Sequence, residues 1–207
     1  MNYKLFFKNI NNWDDFQESL TTLNSNQKGD VYEELTLLLF KIKEEYVTQY
    51  GGNVWRLSET PKKHLEDIGI TSQDLGVDLI AKKDNEYHAI QCKYHSDREK
   101  NVTYNEVSTF LVQLETHQKF TMGSLCSTAN ETAKNYQKQK TKQIQEKLYD
   151  SWEELDKKFF DKVRKYLNKK SIKEIPYKPF KHQKKAIREA KKHFLKEDND
   201  RGKLMNY

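Results

Sequence analysis

Long apolar runs are missing from this chain of 207 residues. No stretch approaches the length of a membrane span, and Met1-Asn2-Tyr3-Lys4 opens without the apolar region of a secretory leader. The expectation is a cytoplasmic protein with no membrane partner. Cysteine is scarce: Cys92 and Cys126 both fall in apolar, strand-like runs, which fits reduced thiols in a core and argues against a disulfide framework. Neither belongs to a zinc spacing, and His88 and His95 are too isolated to complete one. No Gly-x-x-x-x-Gly-Lys-Ser/Thr string occurs, so these residues supply no usual phosphate cradle for ATP.

Charge is plentiful but uneven. Residues 134–207 hold 23 Lys/Arg against 11 Asp/Glu, while residues 1–133 hold 14 against 20, which together give the +6 of the whole chain. The basic part could contact a phosphate backbone, although a Lys-rich stretch such as Lys181 to Lys196 is also what a solvated helix face looks like. The length allows one good core plus an appendage.

The most informative stretch is Gly76-Val77-Asp78-Leu79-Ile80 followed by Ala89-Ile90-Gln91-Cys92-Lys93. Asp84-Asn85 is a turn pair between two strand-like runs, Val77 to Lys83 and Glu86 to Tyr94. A hairpin centred there pairs Lys83 with Glu86 and Asp78 with Gln91. Alternation then sends Asp78, Gln91 and Lys93 to one face and Val77, Leu79, Ile90 and Cys92 to the other. Ile80 and Ala89 share the polar face, as in a central strand covered on both sides.

An acid, an amide and a lysine in one register suit metal-assisted phosphodiester chemistry. A carboxylate is a hard ligand for Mg²⁺, and a glutamine adds a neutral carbonyl oxygen. A lysine beside them orients a water or stabilises charge developing in the transition state. The structural alternative is that Asp78 caps a turn, Gln91 is a satisfied polar residue and Lys93 snorkels to solvent.

Other segments read as the frame around the hairpin. Val31, Leu35, Leu38, Leu39, Ile42 and Tyr46 recur at helical spacing. Glu33 and Glu34 lie on different sides of that stripe, so one of them is expected to face the hairpin. Asn53 to Ser58 reads as a first strand, Val102 to Leu114 as a helix, Ser124 to Thr128 as a further strand, and a helix follows from about Glu131. Gln137 to Lys147 reads as a polar helix or loop. Trp152, Leu155, Phe159, Val163, Tyr166 and Leu167 mark one amphipathic helix, expected to pack on the core or act as a spacer, and Ile175-Pro176 with Pro179 breaks it. Trp13, Phe16, Leu20 and Leu23 mark an N-terminal packing helix.

Asp78…Gln91-x-Lys93 resembles the PD-(D/E)xK nuclease superfamily, in the Mrr-like branch where glutamine replaces the second acid. Lys28-Gly29-Asp30-Val31-Tyr32-Glu33-Glu34-Leu35 resembles that branch's opening helix, in which an aromatic is followed by a glutamate that approaches the metal. Glu33 matches, with Glu34 the alternative. The resemblance covers roughly residues 28 to 137. It implies an α/β, restriction-endonuclease-like core with a mixed central sheet flanked by helices, plus a C-terminal helical extension. It also implies a DNA endonuclease leaving 5′ phosphates, with Mg²⁺, or Mn²⁺ as substitute, on Asp78, the Gln91 side-chain oxygen, the Cys92 backbone carbonyl and Glu33, and with Lys93 preparing the attacking water. A nuclease-like module that binds double-stranded DNA without efficient cutting is the alternative, and a free-standing junction resolvase is a third reading.

Tyr177-Lys178-Pro179-Phe180-Lys181-His182-Gln183 resembles the segment before the phosphate-binding loop of superfamily 2 helicases, and Asp198 to Tyr207 resembles the strand leading into it. The arrangement is similar to type I single-polypeptide restriction enzymes. It implies a larger polypeptide with motor, methyltransferase and recognition domains, in which ATP serves the full-length enzyme and is not bound by these residues. The expected organisation is an N-terminal helical segment over 1–27, the nuclease domain over 28–148, a helical linker over 149–175 and the start of a motor over 176–207.

Overall fold

The computed structural model describes residues 1–73, 76–139 and 143–169. The chain opens with α1 (Tyr3–Phe6), α2 (Trp13–Leu20) and α3 (Ser25–Ile42). α3 starts where Asn24 and Gln27 form a reciprocal capping box, their side chains each accepting from the other's backbone N–H at 3.0 and 3.1 Å. The expected single stripe from Val31 to Tyr46 is divided: Lys43 turns extended (ψ 130°), ending α3 and opening α4 (Glu44–Tyr50). Periodicity survives the break because both helices pack on the same core.

The first strand, β1, is shorter than its sequence run, Val54–Arg56, because Leu57–Glu59 curls into a 3₁₀ turn. α5 (Lys62–Ile68) follows and was not anticipated, having one charged turn and only Leu65 and Ile68 buried. β2 (Leu79–Lys83) and β3 (Glu86–Lys93) form the hairpin. Lys83 pairs with Glu86 and Leu79 with Ile90, the expected register, with Asp84 left-handed (φ 52°) at the turn. α6 (Tyr104–Thr116) begins at a second capping box, Thr103 with Glu106, and leads to β4 (Phe120–Ser127). α7 is Lys134–Gln139.

Within the run read as polar helix or loop, Ile144–Lys147 is a strand, β5, parallel to β4. Its sequence Ile-Gln-Glu-Lys offers one apolar residue, so pairing with β4 and not propensity makes it a strand. The expected amphipathic helix around Trp152 to Leu167 is two, α8 (Tyr149–Glu153) and α9 (Lys157–Leu167), separated where Asp156 caps α9 through a bond from Phe159 N at 2.9 Å.

Among the described residues the sheet order is β1-β2-β3-β4-β5. β1, β2 and β3 are antiparallel to one another, and β4 and β5 run parallel to β3. This is a mixed sheet flanked by helices, the expected α/β class. One core joins α2, α3, α4, α8 and α9 to Val54, Leu79, Ala81, Ile90 and Cys126 of the sheet. The other joins α5, α6 and Tyr136 of α7 to Ile80, Tyr87, Ala89 and Leu125. Burial of both sheet faces explains the apolar residues on each face of the hairpin. Trp152 donates its indole N–H to Ser127 O at 2.9 Å, so α8 and α9 are part of the first core and not a spacer. Val77 departs from its expected face: it precedes β2, where strand alternation no longer binds, and packs in the second core.

All described residues lie in a unit bounded by Met1 and Ile172; the second unit, Lys173–Tyr207, and with it the helicase-like segment over 176–207, lies outside the described residues. No described helix is long and apolar enough to cross a membrane.

Candidate functional site

Asp78 is held by its backbone from both sides. Its N–H donates to Ile90 O of β3 at 2.9 Å, and its carbonyl accepts from Leu57 N, just past β1, at 2.8 Å. The regular ladder ends at Leu79–Ile90, and Asp78 is fixed just beyond it by these two bonds. Gly76 sets the approach: at φ +91° it lies against α6, where a Cβ would meet Phe110 N at 2.5 Å and Thr109 C at 2.7 Å. Only glycine fits there.

Gln91 and Cys92 meet the same carboxylate oxygen. Asp78 Oδ2 accepts from Gln91 Nε2 at 2.5 Å and from Cys92 N at 2.6 Å. Gln91 Nε2 also reaches the Cys92 carbonyl at 3.4 Å, so the amide NH₂ stands between two of the oxygens proposed as ligands. Gln91 Oε1 is buried and has no hydrogen-bond partner among the described residues. Such an atom costs stability unless something else satisfies it. Lys93, half-buried at the end of β3, is close enough for its charge to pull the Asp78 carboxyl down.

The α3 glutamates were expected to divide, one toward the hairpin and one away. Instead both engage Arg56 at the end of β1, opposite Leu79 of β2: Nη1 pairs with Glu33 Oε1 and Nη2 with Glu34 Oε2 at 2.9 Å. Arg56 Nη2 also donates to the Tyr3 hydroxyl at 3.3 Å, and the guanidinium lies 5.6 Å from that ring's centroid. Arg56 carries no motif signal. Its one mark in the sequence is a charge at the end of an otherwise apolar strand run.

Burial sets the electrostatics. It raises the Asp78 carboxyl above its ordinary range, opposed by the Cys92 N–H, Lys93, Gln91 and Arg56. Burial likewise raises Glu33, to about 7, with Arg56 opposing and Asp78, Asp30 and Glu34 adding to the rise. Two carboxyls pushed toward neutrality in one neighbourhood mark a place where a cation would be welcome.

The donor set suits a hard divalent ion. Asp78, the Gln91 amide oxygen and the Cys92 carbonyl are all oxygens, and the unpartnered Gln91 Oε1 has ligand capacity to spare. Among the described residues no group of three or more His, Cys, Asp and Glu side chains is arranged to hold a metal, so any such site depends on the amide and the backbone carbonyl.

Neighbouring polar residues are accounted for otherwise. His95 is a satisfied histidine: its side chain is buried against Glu106 (Nε2 to Oε1 3.3 Å), and its backbone N–H and carbonyl both bond the Thr128 hydroxyl. Tyr94 packs its ring against Tyr32. The cysteines are free thiols, Cys126 buried and Cys92 half-buried, and burial raises both thiol pKa values.

The fold is an α/β domain whose mixed sheet carries an acid, an amide and a lysine on one hairpin. The Mrr_cat_2 family model, restriction endonuclease, matches residues 41–145, half of the chain, and the chain belongs to that family. Asp78, Gln91, Lys93 and Arg56 lie inside the matched range; Glu33 and Glu34 lie outside it. No curated protein matches the chain. Among solved structures, the DNA modification-dependent restriction endonuclease AspBHI is similar at 11% identity and a TM-score of 0.42, over 81% of this chain and 40% of that one. A protein of unknown function, AF1548, is similar at 16% identity and a TM-score of 0.30, over 41% of this chain and 46% of that one. The chain spans less than half the length of either.

Proposed function

We propose that this restriction endonuclease domain hydrolyses phosphodiesters of double-stranded DNA with a divalent metal, Mg²⁺ or Mn²⁺, at the hairpin site. The observation that carries the reading is the meeting of Gln91 Nε2 and Cys92 N on Asp78 Oδ2 beside an unpartnered Gln91 Oε1. Asp78, the Gln91 side-chain oxygen and the Cys92 carbonyl would hold the ion, with Glu33 beside them. When bound, it would lower the pKa of a water and neutralise charge on the phosphate.

The protein's own part is positional. The Cys92 N–H keeps Asp78 fixed and ionisable in a buried setting. A half-turn of the Gln91 amide exchanges Nε2 for Oε1 at the point between Asp78 and the Cys92 carbonyl. As placed, the NH₂ donates to both of these oxygens. Lys93, half-buried at the end of β3, is suited to orient a water and to offset charge growing on the phosphoryl oxygens. The motif resemblance implies a product with a 5′ phosphate, which requires the water to attack in line with the 3′ oxygen as leaving group.

The motif resemblance extends the reading to a module of a larger restriction-modification polypeptide, with an ATP-driven motor, methyltransferase and recognition domains beyond the nuclease. Gln91 contributes no charge where a second acid would, so metal affinity is modest, and full activity calls for that larger enzyme or a second copy. The same feature favours the second reading, a module that binds DNA without efficient cutting.

Plasmid cleavage with Mg²⁺, Mn²⁺ and chelator, beside Lys93→Ala, tests this. Metal-dependent nicking reduced about 10³-fold in Lys93→Ala is the expected result. Full cleavage by Lys93→Ala would falsify the assignment; retained DNA binding with no cutting by the wild type would select the second reading.

A further inference from the structure

Arg56 holds both candidate glutamates and is not part of the motif. Its two terminal nitrogens are divided between adjacent glutamates of α3: Nη1 on Glu33, Nη2 on Glu34 at 2.9 Å. The two acids differ in exposure. The Glu34 side chain is 10% exposed and Glu33 is 24% exposed, with Arg56 at 16%. Glu34 is therefore the inner partner and Glu33 the one nearer solvent. Each glutamate gives Arg56 one oxygen, Oε1 of Glu33 and Oε2 of Glu34, and no hydrogen bond among the described residues engages Glu33 Oε2.

Backbone connections make this more than a surface ion pair. Arg56 is the last residue of β1, and the next residue, Leu57, donates its N–H to the Asp78 carbonyl at 2.8 Å. The arginine and the aspartate are thus carried by the same rigid ladder, while the glutamates come from a helix on one sheet face. A planar guanidinium can hold two carboxylates at a fixed angle; an ammonium cannot. Tyr3, from α1, closes the remaining side of the guanidinium with its hydroxyl at 3.3 Å and its ring.

We infer that Arg56 is a positioning residue of the site, with Glu34 as its anchor: Glu34 fixes one arm of the guanidinium, and the other arm holds Glu33 by one oxygen, leaving its second oxygen for the metal beside Asp78. The division of labour assigns Glu33 to the metal and Glu34 to the arginine. The inference rests on the metal-dependent reading above. Partners that orient ligands in this way commonly change metal affinity 10- to 100-fold when altered.

The test is calorimetric Mn²⁺ binding to the full chain without DNA, with thermal midpoints measured alongside. Arg56→Lys keeps the charge and loses the fork, and should weaken Mn²⁺ binding roughly tenfold. Glu34→Gln should weaken it roughly threefold alone and add nothing to Arg56→Lys, because it acts through the arginine. A merely structural role would lower the thermal midpoint and leave Mn²⁺ affinity unchanged in the folded protein. Unchanged affinity in folded Arg56→Lys overturns the inference, as does an additive effect of the two substitutions. If Arg56→Lys does not fold, unchanged affinity in Glu34→Gln overturns it instead. Asp78→Asn separates the two levels: wild-type binding lost in Asp78→Asn but kept in Arg56→Lys refutes the positioning role alone, whereas no difference between wild type and Asp78→Asn refutes the metal site and this inference together.

Discussion

Two polar residues three apart on β3, His88 and Gln91, are both buried in a sheet and treated in opposite ways. His88 faces the first core, where Nδ1 meets the Tyr50 hydroxyl of α4 and Nε2 meets the Ser124 hydroxyl of β4 at 3.0 Å. Burial lowers its pKa to about 4, so it is a neutral ring with both nitrogens used. Gln91 has the opposite parity, donates to a carboxylate whose pKa is raised, and leaves its carbonyl oxygen unused. A satisfied network fixes a core; an unsatisfied oxygen next to a raised acid is spare binding capacity. The orphan alone would not suffice, since among the described residues Trp13 Nε1 and Tyr32 Oη are also buried without partners, the first among stacked rings and the second beside two thiols.

The sharpest way to break this contrast is to move Asp78 without touching it. Gly76→Ala drives a methyl into the α6 backbone at a left-handed position, so the segment carrying Asp78 must shift. Metal-dependent cleavage should fall about 100-fold, since misplacement of this order is that costly to positioned chemistry. Unaltered cleavage would show that Asp78 does not need its observed location.

His88→Phe probes the other side. It leaves the Tyr50 and Ser124 hydroxyls without their partner and should cost about 1–3 kcal/mol in denaturant unfolding, with Mn²⁺ affinity unchanged. Loss of Mn²⁺ binding in folded His88→Phe would mean the two networks are one.

The changes that need no substitution lie in pH, where the two regions have opposite signs. His88 titrates near 6.5 unfolded and about 4 folded, so the unfolded chain binds more protons between those values, and this contribution, on the order of 3 kcal/mol, is lost as pH falls from 6.5 to 4. Glu33 titrates near 4.5 unfolded and about 7 folded, so the folded chain binds more protons in that window, and its contribution is lost as pH rises from 4.5 to 7. Mn²⁺ must displace the Glu33 proton below pH 7, so affinity should rise from pH 6 to 8 and binding should release protons, measurable in buffers of different ionisation enthalpy. Affinity flat across that range would remove Glu33 from the site.

The sequence made the hairpin legible because a two-residue turn and strict alternation fix register from local signals. Val77 lies two residues before the ladder, where alternation stops. The break at Lys43 was hidden because two helices on one core keep one stripe. β5 was hidden because its strand character comes from β4. Arg56 was invisible for a different reason: its partners sit 22 and 23 positions earlier on a helix, and no spacing rule links a lone arginine to them.

Strand order equal to chain order has a kinetic meaning. Asp78 and Gln91 are separated by 13 positions, and each strand's sheet neighbours are its neighbours along the chain. Closing so short a loop takes little entropy and a hairpin forms in microseconds, so the acid and the amide can meet before the helical layers arrive. The cutting site would then be among the first parts of the molecule to assemble, while the α3 glutamates reach Arg56 of the neighbouring strand only when the helical layer docks.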